Sequence, residues 1–317
     1  MTSAPPAQET RTGVAAAVGA YVLWGLLPFY LIALRGIGSD QVLTHRILWS
    51  IPLGALIITL RKQWPEVVNA IRTPKVMGAL LASSVVIGVN WLIYIAAVQN
   101  QHIFEASLGY YINPLIYVLV GVAVLGERLT TAQKAAVVLA AVGVSILTFY
   151  GGRFPVVAIS LGITFTAYGY IRKVTPVGAM PGLFIETAVL APIAAVWLAM
   201  FVPETARAFG TTAQLTTLLV LAGPVTVVPL LLFAIGARRL PLSTIGFLQF
   251  IGPTLQFAIG VLDGEPFTRA HQLCFGFIWV AAIIFAVDAI RRSQGAAAPP
   301  APKTAMASKG KMVRRGT

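Results

Sequence analysis

Charge is scarce in this chain: Asp, Glu, Lys and Arg together make up 10% of its 317 residues, where a water-soluble domain carries about 25%. A globule of that composition would have too few polar groups to cover a wet surface. Cysteine is nearly absent. The single Cys274 excludes an internal disulfide, fits no metal motif and reads as a small packing residue. The three histidines, His45, His102 and His271, are scattered, so neither a His/Asp metal cluster nor a nucleophile–base pair can be assembled from neighbouring positions. A Gly-rich loop ending in Lys-Ser/Thr is also missing, which removes direct use of ATP.

What the chain has in quantity is apolar sequence. Hydrophobic residues make up 57% and the mean hydropathy is +0.83. The apolar runs are about 20 residues long, the length of a helix crossing a bilayer core about 30 Å thick. The expected fold class is an all-α membrane protein. Ten segments are predicted, at roughly 13–34, 40–60, 76–98, 103–125, 131–150, 155–172, 181–202, 214–236, 241–262 and 270–290. The stretch Gln63 to Pro74 reads as a short helix lying on the membrane surface, with Trp64 at headgroup depth. Residues 1–12 lack the basic start of a signal peptide and are expected to be disordered, as is the basic tail 291–317.

The formal charge of +13 does not indicate a nucleic-acid partner. Counted by alternate connections, 18 of the 23 Lys and Arg fall on one side of the ten segments and 4 on the other, with Arg46 inside a helix. That is the positive-inside bias, and it places both termini in the cytoplasm. The tail would be drawn weakly to anionic membrane lipid.

Two distant stretches resemble each other. Pro114 leads after thirteen residues to Glu127, and Pro253 after twelve to Glu265; Gly121 matches Gly260, and Ala132 matches Ala270. This predicts two five-helix repeats, 13–150 and 155–290. Five is odd, so the second repeat would cross the membrane in the opposite sense, an architecture that recurs among transporters with the site between the halves. Pro114 and Pro253 are the expected hinges. Gly126-Glu127 and Gly264-Glu265 read as glycine-capped helix ends.

Ionisable groups inside a membrane are costly and are functional candidates by default. Here they are His45, Arg46, Glu105 and Glu186. Arg46 and Glu105 enter their helices from the same side at similar depth, so an intramembrane ion pair between them is expected. Glu186 enters from the cytoplasmic side, where Arg172 or Lys173 would meet it. Glu105 shares a helix with Ser107, Tyr110, Tyr111 and Asn113, and the downstream repeat has Ser243 and Thr244 in its place. Glu105 is therefore the first candidate for substrate or proton chemistry. A second layer suits the apolar walls and few hydrogen-bonding groups of an organic-molecule site: Asn90, Trp91, Tyr94, Trp24, Tyr168 and Gln249. For each, the competing reading is helix packing, or helix–helix hydrogen bonding for Asn90.

The five-plus-five pattern and the Pro…Gly-Glu helix ends resemble the drug/metabolite transporter superfamily in its EamA group. The stretches Thr44–Ser50 (THRILWS), Asn90-Trp91, Glu105–Pro114 (EASLGYYINP), Ile185–Thr187 (IET) and Gly246–Thr254 (GFLQFIGPT) are similar to its RarD-like, chloramphenicol-sensitivity branch. That branch usually carries Glu where this chain has Gln41. The resemblance covers about residues 13–292. It implies a multi-pass protein of the cytoplasmic (inner) membrane of a bacterium. Its activity would be secondary-active transport, most simply export of a small organic metabolite or drug by alternating access. Such a protein needs no cofactor and no metal, and meets a small-molecule substrate and membrane lipids; a homo-oligomer is left open. The alternatives are a membrane-embedded enzyme, which lacks a catalytic constellation here, and a structural or signalling membrane protein, which would not require the repeated polar helices.

Overall fold

A computed structural model describes residues 7–125, 129–152, 154–237, 239–240 and 248–297. Glu127, Ser243, Thr244 and most of the C-terminal tail lie outside the described residues. All regular structure among the described residues is helical. In chain order the helices are α1 (Ala7–Ile32), α2 (Ser39–Leu60), α3 (Trp64–Arg72), α4 (Pro74–Gln99), α5 (Ile103–Leu125) and α6 (Thr131–Phe149). They continue with α7 (Val156–Val174), α8 (Ala179–Met200), α9 (Ala213–Ala237), α10 (Ile251–Leu262) and α11 (Arg269–Ala297). Among the described residues seven helices are long and apolar enough to cross a membrane; Val156–Arg172 and Ile251–Leu262 are shorter apolar helices. The outward faces are apolar as well: Phe149 is 86% exposed and Leu262 75%. Such faces suit lipid, so the chain is a multi-pass membrane protein.

Residues 7–12 and 291–297, expected to be disordered, continue α1 and α11 as helix. Both stretches extend helices already formed, and adding residues to an existing helix avoids the nucleation cost.

The stretch expected to lie on the membrane surface forms the short helix α3. Val67 and Ala70 are buried against Ile58, Leu80 and Ile185, while Val68 and Ile71 face outward. Trp64 donates its indole N–H to Thr59 Oγ1 at 2.9 Å.

Helix pairing follows a pattern. α1 packs on α9 and α10, and α7 packs on α4 and α5; α2 packs on α8, α5 on α10 and α6 on α11. The α6–α11 seam is close because Gly143 faces Cys274: a Cβ there would lie 3.0 Å from the Cys274 carbonyl oxygen.

The ninth expected segment is broken. Gln249 and Phe250 form a turn and α10 starts at Ile251, so Pro253 sits in the first turn of a helix. Its missing N–H would have met the carbonyl of Gln249, and the helix restarts where no such bond is needed. Pro253 thus marks a break rather than a bend within a helix. Pro114 lies within α5. At the far end of α10, Gly264 has φ +77°. There the Gly264 and Glu265 N–H groups donate to the Val261 and Gly260 carbonyls at 3.2 and 3.1 Å, which closes the helix as a Schellman cap.

Candidate functional site

The predicted site residues separate into four places. The first is the seam between α5 and α10. Ser107 Oγ donates to the Pro253 carbonyl at 2.8 Å, and the Tyr111 hydroxyl meets Thr254 Oγ1 at 2.7 Å. Both bonds tie α5 to the first turn of α10, beside the Pro253 break. Asn113 and Asn90 reach α7: Asn113 Oδ1 accepts from Thr166 Oγ1 at 3.5 Å, and Asn90 Nδ2 donates to Thr164 Oγ1 at 2.8 Å and to the Leu161 carbonyl at 3.2 Å. These are helix–helix bonds. They leave Asn90 Oδ1 and Asn113 Nδ2 without partners.

The second place surrounds Glu186, whose side chain is fully buried. It accepts from Ser83 Oγ at 2.6 Å and from the Tyr168 hydroxyl at 3.2 Å, and its Oε1 lies 3.6 Å from Arg172 Nε. Arg172 also donates to the Gly178 carbonyl at 3.0 Å. The expected choice between Arg172 and Lys173 therefore falls on Arg172.

The third place surrounds Arg46. The Cζ atom lies 4.4 Å from the centroid of the Trp91 ring, and Tyr30, Tyr94 and Tyr110 are its electrostatic neighbours. The Tyr94 and Tyr110 ring centroids are 5.6 Å apart. The expected Arg46–Glu105 ion pair is not formed. Glu105 lies in the first turn of α5, where the helix dipole favours a carboxylate, and its Oε1 is 3.3 Å from His102 Nδ1. Similar depth along two helices does not fix the direction in which each side chain points, and these two meet different partners.

The fourth place joins the ends of the helices on the side with few cations. Arg35 forms a bidentate ion pair with Asp263, donating to Oδ1 at 2.8 Å and also contacting Oδ2. Glu265, expected only to mark a helix end, accepts from the backbone N–H groups of Ile103 at 2.6 Å and Phe104 at 3.1 Å. It thereby caps α5 from another connection. Burial pushes its carboxyl up to about 7; the two N–H donors oppose the shift, and the nearby Glu105 and Asp263 add to it. Trp197 donates to Asp40 at 2.8 Å. Gln41 donates to the Ala206 carbonyl at 3.0 Å and accepts from Ala208 N–H at 3.1 Å. An amide satisfies both of those groups, whereas a carboxylate would face the Ala206 carbonyl with no proton to offer.

The remaining candidates lie apart from these groups. Trp24 packs in an aromatic cluster with Tyr21 and Phe233, and its carbonyl accepts from Gln256 Nε2 at 3.2 Å. Gln249 is in the turn before α10. His45 is buried and stacked on Phe209, with both ring nitrogens unpartnered. Sequence reasoning missed Tyr30, Arg35, Asp263 and the side-chain role of Glu265. The only available signal was that three of these four are ionisable and border apolar runs. Among the described residues no three His, Cys, Asp or Glu side chains gather as a metal site would require.

Comparison with known proteins agrees with this picture. The sequence pattern described as the EamA-like transporter family matches residues 11–149. An uncharacterized transporter of Vibrio cholerae is 44% identical over 295 residues, covering 92% of this chain and 97% of that protein. Protein RarD of Escherichia coli is 42% identical over 286 residues, covering 90% and 97%. A chloramphenicol-sensitive protein RarD of Pseudomonas aeruginosa is 30% identical over 284 residues, covering 88% and 95%. A solved crystal structure at 19% identity matches with a TM-score of 0.60, covering 89% of this chain and 99% of that one; it speaks to the fold alone. With an all-helical, lipid-facing chain and relatives of this identity over nine-tenths of its length, the protein belongs to the EamA-like transporter family, in its RarD-like branch.

Proposed function

We propose that the chain is a secondary-active transporter of the bacterial cytoplasmic membrane that exports a small organic molecule by alternating access. In this reading ten helices cross the membrane as two inverted repeats, 13–150 and 155–290, with both termini in the cytoplasm; α3 lies on the cytoplasmic surface. The observation that carries it is the pairing pattern. Set the first five crossing helices (α1, α2, α4, α5, α6) against the last five (α7–α11) and exchange them. The α1–α9 contact then becomes α7–α4, and α1–α10 becomes α7–α5, while α2–α8, α5–α10 and α6–α11 map onto themselves. Two halves related in this way have a second arrangement of comparable energy, the condition for rocking about one site.

The unpaired polar groups Asn90 Oδ1, Tyr94 OH and Asn113 Nδ2 belong to α4 and α5 and supply hydrogen-bonding positions for a solute. The Arg35–Asp263, Glu265–α5, Gln41–Ala206 and Trp197–Asp40 contacts each join one half to the other. They hold the outer ends together, and in this reading they must part when the site opens outward. Glu105, paired with His102 beside this closure, is the proton-carrying candidate.

The test is transport in membrane vesicles against a metabolite panel, with and without a pH gradient. Export of at least one compound is expected, and Glu105→Gln should abolish or uncouple it at unchanged membrane abundance. Normal transport by Glu105→Gln would remove that residue from the pathway, and no transport of any compound would defeat the proposal.

A further inference from the structure

The ionisable groups inside the helices are unequally partnered. Glu105 faces His102, and Glu186 is held by Arg172, Ser83 and Tyr168. Arg46 is 7% exposed. Among the described residues no carboxylate lies within ion-pairing distance of it, its guanidinium makes no hydrogen bond, and Nε is buried without a partner. Its neighbours are aromatic: Trp91 from α4 beneath the guanidinium, Tyr94 also from α4, Tyr110 from α5 and Tyr30 from α1. The Tyr30 hydroxyl is committed to the Leu218 carbonyl at 2.9 Å, whereas the Tyr94 hydroxyl has no partner.

A buried cation normally has a carboxylate or several carbonyls around it, as Arg172 does. A cation–π contact offsets only part of what burying an ion costs. An Arg left in this state is short of one negative charge.

We propose, on the transporter reading above, that the missing charge is carried by the transported molecule. Arg46 is the anchor for the carboxylate of an organic monoanion whose apolar or aromatic body rests on Trp91, Tyr94 and Tyr110. A guanidinium presents paired N–H groups that match a carboxylate. One carboxylate neutralises the single excess charge, whereas a dianion would replace it with the opposite excess. The flat aromatic walls favour a ring or chain over a small hydrated anion. The free Tyr94 hydroxyl supplies a further donor to the bound anion.

Thermal unfolding of the purified chain in nanodiscs of zwitterionic lipid, at fixed chloride and pH, tests the proposal without requiring transport. The probes are phenylacetate and indole-3-acetate, each against its primary amide. At least one acid should raise the unfolding midpoint by about 2 °C or more and bind at least about tenfold more tightly than its amide. Arg46→Gln should lose that preference and, without ligand, unfold no earlier than the parent, because it removes an unpaired charge. Arg46→Lys should keep a reduced preference for the acid. Equal shifts for acids and amides in the parent chain, including no shift for either, would overturn the proposal. So would an Arg46→Gln protein that keeps the preference, or one that is markedly less stable without ligand, since that would make Arg46 a structural staple. The transporter reading survives any of these if vesicles still export a compound, and it fails separately if they do not.

Discussion

Arg46 and Glu186 invite direct comparison. Each is the eighth residue of its helix, in α2 and α8 respectively, and those two helices pack on each other. Both side chains are buried ionisable groups in a membrane protein. Glu186 is met by a hydroxyl from α4, a phenol from α7 and a guanidinium from α7. Among the described residues Arg46 is met by aromatic faces and by no anion. The eighth position of two packed helices is thus completed by the protein in one case and left open in the other. A fully partnered buried charge fixes helices, and an unpartnered one is a vacancy with a defined sign.

The largest effect that can break this comparison is expected at the partnered site. Arg172→Ala leaves Glu186 buried without its cation and should destabilise the fold by about 3–5 kcal/mol, read from denaturant unfolding in mixed micelles. A loss no larger than that of an exposed substitution would show that the Glu186 cluster is not a structural unit.

A smaller effect is expected at Glu265, which caps α5 from the α10–α11 connection. Glu265→Ala leaves the Ile103 and Phe104 N–H groups unpaired and should cost about 1–2 kcal/mol. The pH dependence has a definite sign. The folded protein holds the Glu265 proton up to about pH 7, and the unfolded chain releases it near the ordinary value of 4.5. The stability it contributes is therefore fully present below about 4.5 and is lost as pH rises to about 7. Glu265→Gln should flatten that part of the curve of unfolding midpoint against pH; an unchanged slope would assign it to another group.

The smallest expected effect is a coupling near zero. Arg46→Ala and Glu105→Ala should add in stability within about 0.5 kcal/mol. A larger coupling would restore the ion pair that the structure does not form and would remove the vacancy at Arg46.

These cases also show what the sequence could reveal. Apolar runs of bilayer length located the long helices because lipid demands them, and the short stretch Gln63 to Pro74 with Trp64 was legible as α3. Arg172 was legible as a partner of Glu186 because both sit at the same membrane end of neighbouring helices. The direction of Arg46 was not legible, since successive residues turn by about 100° around a helix and side-chain depth carries no information on that angle. Nor was the destination of Glu265: its backbone closes α10, as the Gly264-Glu265 pattern implied, but its side chain serves a helix 161 positions away. The Arg35–Asp263 pair spans 228 positions and leaves no local trace at all. Gln41 shows the reverse case. An amide at the position where the resemblance implied Glu is explained once the two backbone groups of the 206–208 loop are seen to need both a donor and an acceptor.

The central claim is that the outer ends of the two halves must part for a solute to pass. Arg35 and Asp263 join those ends, and Cys274, the only native thiol, is buried. Arg35→Cys/Asp263→Cys protein in proteoliposomes loaded with a bacterial metabolite extract can be joined by a short, reducible bis-methanethiosulfonate linker. Mass spectrometry of the external medium then reads what leaves. The account predicts that at least one organic anion escapes before linking, is retained while the linker is intact, and escapes again on reduction. Undiminished escape through fully linked protein, or no escape in any state, would contradict it.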